Sequence, residues 1–534
     1  MKRSANPQPA RCSLYLGVLL LACTLTPAHA APTDAPLATE PAPAQPAPTA
    51  PTAATPVAEF PSRWSGPLHA GPQTLTVDLR VTSPTEATLS IIEQNLADAP
   101  LKAVQITDTQ MSFRLLVPPM PAAAAADFAL KISLDGRTAE GTMTQGGARL
   151  PITLKRLESG QAAAVLNRPQ HPKAPFPYEA TDVTFPNPDT GGTLAGTLTF
   201  PRVDANTRAK LTAVVLISGS GPQDRDGTIL GHKPFYVLAD ALTRAGIAVL
   251  RVDDPGVGAS TNPYTSHGSK LPPTTDVFVT DALAAVAFLK EQPRIDPARI
   301  GLIGHSEGGV IAPMAAVRSK DVAFIVMLAG TGVNGREVLV SQLAALDRAS
   351  KTPMQEAHQG AAFQAWLLEL LASDLSDEQL KATLAKLAAD GGTDTLRFNH
   401  PQRTALLDPT TISPWLRSFV KLDPALALRQ VSVPVLVLQG GLDCQVVAEV
   451  NLPAITRALL QPRIGTPVPD VTVRLLPALN HLLQPAVSGA PDEYAAIETT
   501  IDPEALSTIV QWTVARAASI PPAPAAPGSP PARP

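Results

Sequence analysis

Cysteine is nearly missing from this 534-residue chain: Cys12, Cys23 and Cys444 are the only three. Cys12 and Cys23 bound an apolar run near the N-terminus, so removal of residues 1 to 30 would leave one thiol and no possible intramolecular disulfide. Stability must then come from packing. Neither Cys-x-x-Cys nor His-Glu-x-x-His occurs, which removes local support for a zinc site. No run of Lys and Arg stands out and the formal net charge is −4, so the sequence carries no electrostatic footprint for nucleic acid. Beyond the N-terminal run there is no stretch of 18 or more apolar residues, which excludes a multi-spanning membrane protein. No internal repeat is found.

What is present is uneven. Of 57 prolines, eight fall in residues 31 to 58 and seven in the last fourteen residues, segments too poor in large apolar side chains to bury a core. Residues 31 to 59 are expected to be an Ala/Pro-rich tether and 521 to 534 a Pro-rich tail. Folded structure is expected from Phe60 to Ile520, and a composition of 45% hydrophobic and 16% charged residues can fill a sizeable core there. At the start, Lys2, Arg3 and Arg11 precede the apolar run, and Ala28-His29-Ala30 supplies a small-x-small cleavage pattern. Residues 1 to 30 therefore have the form of a secretory signal, which places the mature chain in the periplasm or outside the cell. Its loss removes three positive charges and no negative one, taking the formal charge from −4 to −7. Leu20-Leu21-Ala22-Cys23 offers a second form of processing, as a loose lipobox that would leave Cys23 lipidated and the chain tethered to a membrane.

Two periodicities divide the rest. From 60 to 158 apolar residues alternate, as in Leu75, Val77, Leu79 and Val81, again in Met111, Phe113, Leu115 and Val117, and in Phe128, Leu130, Ile132 and Leu134 before an Asp135-Gly136 turn. Period two predicts a small antiparallel β domain with a structural or substrate-positioning role. After a Pro-studded connector, a second domain over 175 to 518 shows buried-type strand runs at Thr193–Phe200, Leu211–Ser218, Ile247–Val252, Arg299–Gly304, Ala323–Leu328, Pro434–Gln439 and Val471–Leu476. Helical patterns such as Lys233–Ala245 and Thr280–Lys290 lie between most of them. The alternation predicts an α/β fold, a mostly parallel doubly wound sheet covered on both faces. From about 336 to 430 the strands stop and a helix-rich insertion intervenes, large enough to be a cap. Trp415 and Phe419, four apart in it, have the spacing of core residues.

The chemistry concentrates in Gly304-His305-Ser306-Glu307-Gly308, which follows one predicted strand and precedes a helical run from Gly309 to Arg318. A serine on such a turn is lifted above the sheet edge, and the following helix aims its first amides at the place where an oxyanion would form. A serine hydroxyl is a weak nucleophile until a histidine takes its proton and an acid fixes that histidine. On a sheet of this kind the order is nucleophile, acid, histidine. Asp443 lies just past the strand Pro434–Gln439, and His481 is the only histidine after it, 38 residues on. Order and elimination point to Ser306, Asp443 and His481. Oxyanion amides are expected from Glu307 and from Ser220, with Gly221 as the alternative, in Ser218-Gly219-Ser220-Gly221-Pro222. No Gly-Lys-Ser/Thr follows that loop, and Gly256-Val257-Gly258 lacks the last glycine of a dinucleotide fingerprint, so no cofactor is implied. Cys444 is not a nucleophile candidate, because the one histidine after it is already used by Ser306.

Residues 175 to 515 resemble the bacterial secreted or envelope α/β-hydrolases with an N-terminal β domain, a group similar to carboxylesterases and more distantly to serine aminopeptidases. The likeness is carried by residues 219–226 (GSGPQDRD), 231–235 (GHKPF), 250–254 (LRVDD), 301–309 (GLIGHSEGG) and Asn480-His481. Pro255 departs from it, since Arg commonly follows the paired aspartates, and that difference bears on loop geometry more than on chemistry. The resemblance implies hydrolysis of a small-molecule ester of short to medium acyl chain through Ser306, Asp443 and His481. Asp224, Arg225, Asp226 and His232 are expected to brace loops, and the Glu307 carboxylate to meet a basic residue such as Arg251 or a helix N-terminus. A serine peptidase on the same fold would need a cap carboxylate such as Glu369, Asp374 or Asp377 for a free amine. A binding protein with an inactive hydrolase domain would have no need of all three of Ser306, Asp443 and His481. The sequence leaves the oligomeric state open.

Overall fold

In the computed structural model the described residues are 60–521 except 71–72, 92–95, 117–124, 146–147, 159–166, 203–209, 265–271, 390–412 and 462–466. The expected signal segment with Cys23, the tether and all but the first residue of the tail lie outside them, as does Val117. The chain divides into two compact units between residues 165 and 166.

The first unit is built from β1 (Ser62–Ala70), β2 (Gln73–Ser83), β3 (Glu86–Ile91), β4 (Leu96–Pro100), β5 (Lys102–Ile106), β6 (Gln110–Leu115), β7 (Ala126–Ile132), β8 (Thr138–Gln145) and β9 (Ala148–Arg156). They form one sheet in the order β4-β3-β2-β1-β9-β8-β7-β6-β5 with antiparallel neighbours. β4 and β5 stand at opposite ends of that order yet only Leu101 separates them, and its amide donates to Ala87 in β3. Leu101 therefore carries the chain directly from one edge strand of that order to the other. The alternating apolar residues fill its interior: Val77, Leu79, Val81, Met111, Phe113, Phe128 and Leu130 are buried in one cluster. Phe113 and Phe128 face each other across β6 and β7 with stacked rings 4.8 Å apart. Leu134 departs from the period-two expectation and is exposed. β7 has ended at Ile132, and the chain is turning through Gly136 at φ +68, whose amide donates to Ser133.

The second unit has eight strands: β10 (Tyr178–Asn187), β11 (Gly192–Pro201), β12 (Leu211–Ile217), β13 (Ala248–Val252), β14 (Ile295–His305), β15 (Phe324–Leu328), β16 (Val435–Gly440) and β17 (Val471–Leu476). Between and after them lie α1 (Pro234–Arg244), α2 (Thr275–Lys290), α3 (Gly308–Arg318), α4 (Gly335–Ala349), α5 (Met354–Ala372), α6 (Asp377–Ala389), α7 (Pro414–Lys421), α8 (Pro424–Leu428), α9 (Ala448–Leu460) and α10 (Pro503–Ser519). The order is β10-β11-β13-β12-β14-β15-β16-β17, with β11 antiparallel to both neighbours and the rest parallel. Alternate residues of a central strand serve opposite faces. Ala213, Val215, Val435 and Val437 join the core under α2, α3 and α9, while Val214, Leu216, Leu436 and Leu438 join the core under α1 and α10. This is the doubly wound α/β sheet that the strand and helix runs predict.

β12 lies between β13 and β14, so the chain leaves it to one side and returns on the other. A crevice opens beyond the C-terminal ends of such strands. The loop after β12 and the turn after β14 both emerge there. Helices α4 to α8 are inserted between β15 and β16, and α4 to α7 share a core of their own that includes Leu339, Phe363, Leu367, Leu380 and Phe419. Among the described residues no helix is long and apolar enough to cross a membrane.

Candidate active site

β14 ends at His305 and α3 begins at Gly308, which leaves two residues to reverse the chain. Ser306 takes the strain, with φ +56, a conformation that costs a non-glycine residue of order 1 kcal/mol or more. Its amide donates to Leu328 of β15 at 2.8 Å, and its carbonyl accepts from Gly309 at 2.9 Å. The glycines on either side are required by close approach: a Cβ on Gly304 would strike the Gly308 carbonyl, and one on Gly308 would strike the Ile217 carbonyl.

Asp443 and His481 come together at the ends of β16 and β17, with His481 Nδ1 2.8 Å from Asp443 Oδ2. Both side chains are buried. The Asp443 carboxylate accepts three further hydrogen bonds, from the Gln445 and Val446 amides at 2.8 Å each and from Gln439 Nε2 at 3.0 Å. A carboxylate held this way presents an acceptor to Nδ1, which places the imidazole proton there and leaves Nε2 as the basic nitrogen. Gln439 and His305 are the residues here whose part sequence reasoning missed. His305 Nε2 lies 2.9 Å from the His481 carbonyl oxygen, and the two rings are 4.7 Å apart. Burial pushes the His305 pKa down to about 3, so its ring is neutral and donates to that carbonyl. The residue before Ser306 thereby holds the backbone of His481.

Ser220 lies in the loop after β12, which packs against the turn: a Cβ on Gly219 would sit 3.0 Å from the Ser306 Cβ. Asp254 ties both ends of this loop, accepting from Ser218 Oγ at 2.7 Å and from the Gln223 amide at 2.8 Å. Gly221, at φ +87, makes the bend between them. Glu307 is buried, and its carboxylate accepts from Thr275 Oγ1 at 2.6 Å and from Trp415 Nε1 at 2.8 Å. Burial raises its pKa, against the hydrogen bonds from Thr275, Trp415 and Ser220, which favour the ionised form. Arg251 is not its partner, since it pairs with Asp226. Trp415 and Phe419 also depart from the expectation of a purely core role. Trp415 reaches Glu307, and Phe419, stacked on it at 5.1 Å, lines the cavity beside Ser306. That cavity, of about 20 Å³, is bounded by Ser306, Ser220, Glu307, Thr331, Val338, Gln342, Phe419, Gln445 and Val446.

The polar residues around the loop brace it. Arg225 holds Asp253 through Nε at 3.1 Å and Nη2 at 2.7 Å, and Asp182 at 2.9 Å. Asp224 accepts from the Asp226 and Thr228 amides, and His232 is fully buried against Thr500, the Tyr494 carbonyl and Gln484. Gln484 in turn accepts from Asn480, the neighbour of His481. Cys444 is buried, which pushes its thiol up to about 11 and leaves it unreactive. Among the described residues no group of three or more His, Cys, Asp or Glu side chains is placed to hold a metal ion.

The esterase EstD of Thermotoga maritima is 28% identical over 344 residues, 64% of this chain and 68% of EstD. The esterase FrsA of Yersinia pestis is 32% identical over 155 residues, 29% of this chain and 32% of FrsA, so the chain matches about a third of that relative's length. Among solved structures, the dienelactone hydrolase of Anabaena variabilis aligns at a TM-score of 0.34 with 15% identity, over 64% of this chain and 99% of that one. The sequence profile of the alpha/beta hydrolase family matches residues 214–497, more than half of the chain. The chain belongs to the alpha/beta hydrolase family.

Proposed function

We propose that this chain is an exported serine hydrolase that cleaves carboxylic esters of short to medium acyl chain through Ser306, His481 and Asp443. The observation that carries the reading is the Asp443–His481 pair at 2.8 Å, whose carboxylate is fixed by three other donors, together with a serine on a strained turn after β14. His481 Nε2 takes the Ser306 proton as Oγ attacks the ester carbonyl, and the oxyanion rests on the amides of Glu307 and Ser220. His481 then protonates the leaving alcohol, and the same nitrogen draws a proton from water to release the acid. Asp443 stabilises the imidazolium formed in each half. Helices α4 and α7 supply Val338, Gln342 and Phe419 to the cavity and act as the cap.

The names of EstD and FrsA support the ester over the amide. So do the cap carboxylates a peptidase would need, because each is engaged on the surface: Glu369 with Arg336, Asp374 with Lys421 at 4.0 Å and Asp377 with Arg417 at 2.5 Å. An alkyl fluorophosphonate tests the reading, since it phosphonylates an activated serine. Mass analysis should find the full chain modified once, at Ser306, and Asp443→Asn modified far more slowly. An unmodified wild-type chain would sink the proposal.

A further inference from the structure

Two polar atoms that border the cavity with Ser306 have no hydrogen-bond partner among the described residues. Thr331 Oγ1 and Gln342 Nε2 are both buried without a hydrogen bond, and both residues line the cavity that Ser306 enters. Their residues are 3% and 6% exposed, so bulk water does not serve them. An unmet buried donor costs on the order of 1–3 kcal/mol, and such groups call for an explanation in the function of the site. Thr331 stands just past the end of β15 and Gln342 on α4, so separate elements bring them to one small space. The rest of that space is mixed: Val338, Phe419 and Val446 are apolar, while Ser220, Glu307 and Gln445 are not.

The position of the cavity says which part of an ester enters it. The acyl group stays on Ser306 after the alcohol leaves, and water must then reach the carbonyl. Enclosed space therefore suits the acyl group, and the open side suits alcohol and water. At about 20 Å³ the cavity takes a water-sized group, so a short acyl group suits it. A water fits there in the free enzyme, and an acyl group that displaces it must replace its hydrogen bonds or lose affinity. A methyl group cannot do so. A hydroxyl can accept from Gln342 Nε2 and exchange a hydrogen bond with Thr331 Oγ1.

Resting on the esterase reading above, we infer that the acyl group accepted beside Ser306 is a short one bearing a hydroxyl on the carbon next to the carbonyl, a 2-hydroxyacyl ester rather than a plain alkanoate, selected by Thr331 and Gln342. A site built to hydrogen-bond a substrate hydroxyl discriminates against the analogue that lacks it, because the buried polar groups are then left unpaired.

Phenyl glycolate and phenyl propionate have acyl groups of equal heavy-atom count, which makes them the direct comparison. kcat/KM for each, divided by its rate of hydroxide-catalysed hydrolysis, should favour the glycolate by at least about tenfold in the full chain. In Thr331→Val and in Gln342→Met the glycolate value should fall by about tenfold while the propionate value rises. A damaged fold would lower both, so changes of opposite sign isolate selection. A wild-type chain that turns over both esters without preference, or variants in which both values move together, would overturn the inference and leave the esterase reading standing. Absence of Ser306-dependent turnover of either ester would overturn both.

Discussion

The Trp415 indole nitrogen lies 2.8 Å from Glu307 Oε1, so helix α7 is fastened to the residue next to Ser306. Trp415→Phe keeps an aromatic ring on Phe419 and removes the donor. It should cost about 1–3 kcal/mol in urea denaturation, because the buried carboxyl loses one of its few partners. It should also raise KM as the cap helix loosens. Unchanged denaturation midpoint and KM would show that the contact ties nothing.

Asp443→Asn leaves the shape of the site intact but offers an amide where His481 Nδ1 needs an acceptor. Ester turnover should fall by about 10⁴-fold with KM little changed. Gln439→Leu removes only one of the four donors on Asp443, and about a tenfold loss is expected. Comparable losses in the two variants would mean that Asp443 acts through packing alone.

His305 contributes one N–H to the His481 carbonyl. His305→Phe keeps a ring of similar size and deletes that donor, which should lower kcat by ten- to a hundredfold through a displaced imidazole. Because burial holds the wild-type ring neutral down to about 3, its contribution to stability is full above the ordinary histidine pKa of about 6.5 and is lost as pH falls below it. The variant should therefore lose less stability than wild type between about pH 6.5 and 3. Parallel pH profiles would contradict this.

Asp254 has the opposite sign. Burial lifts it to about 7, so the folded chain keeps a proton that the unfolded chain releases near pH 4. Wild-type stability should decline across that window as pH rises, and Asp254→Asn, which can still accept from Gln223 and donate to Ser218, should decline less. Identical slopes in chemical denaturation from pH 5 to 8 would count against a buried, loop-tying Asp254.

Much of this arrangement was legible in the sequence, and the exceptions have physical causes. The seven runs are β11 to β17, and those in the middle of the sheet, such as β15 and β16, are apolar almost throughout because they are buried on both faces. β10 carried no such pattern: it sits at the sheet edge, paired only with β11, and Glu179, Ala180, Thr181 and Asp182 are exposed. α2 starts at Thr275, five residues before the helical pattern at Thr280, with Thr274 as its N-cap. Ser306, Asp443 and His481 could be singled out as candidates because each follows the end of a strand, after β14, β16 and β17. The partners of Glu307, the His305 contact and the two orphaned atoms of Thr331 and Gln342 could not, since they depend on side chains brought together from distant segments.

Ester hydrolysis by Ser306 is best tested by turnover. The full chain and Ser306→Ala should be compared on p-nitrophenyl esters from acetate to palmitate and on amino-acid p-nitroanilides. Ester turnover should be greatest for the shortest chains, fall with length and disappear in Ser306→Ala, with the anilides untouched. Turnover of anilides alone, or ester turnover that survives in Ser306→Ala, would contradict it.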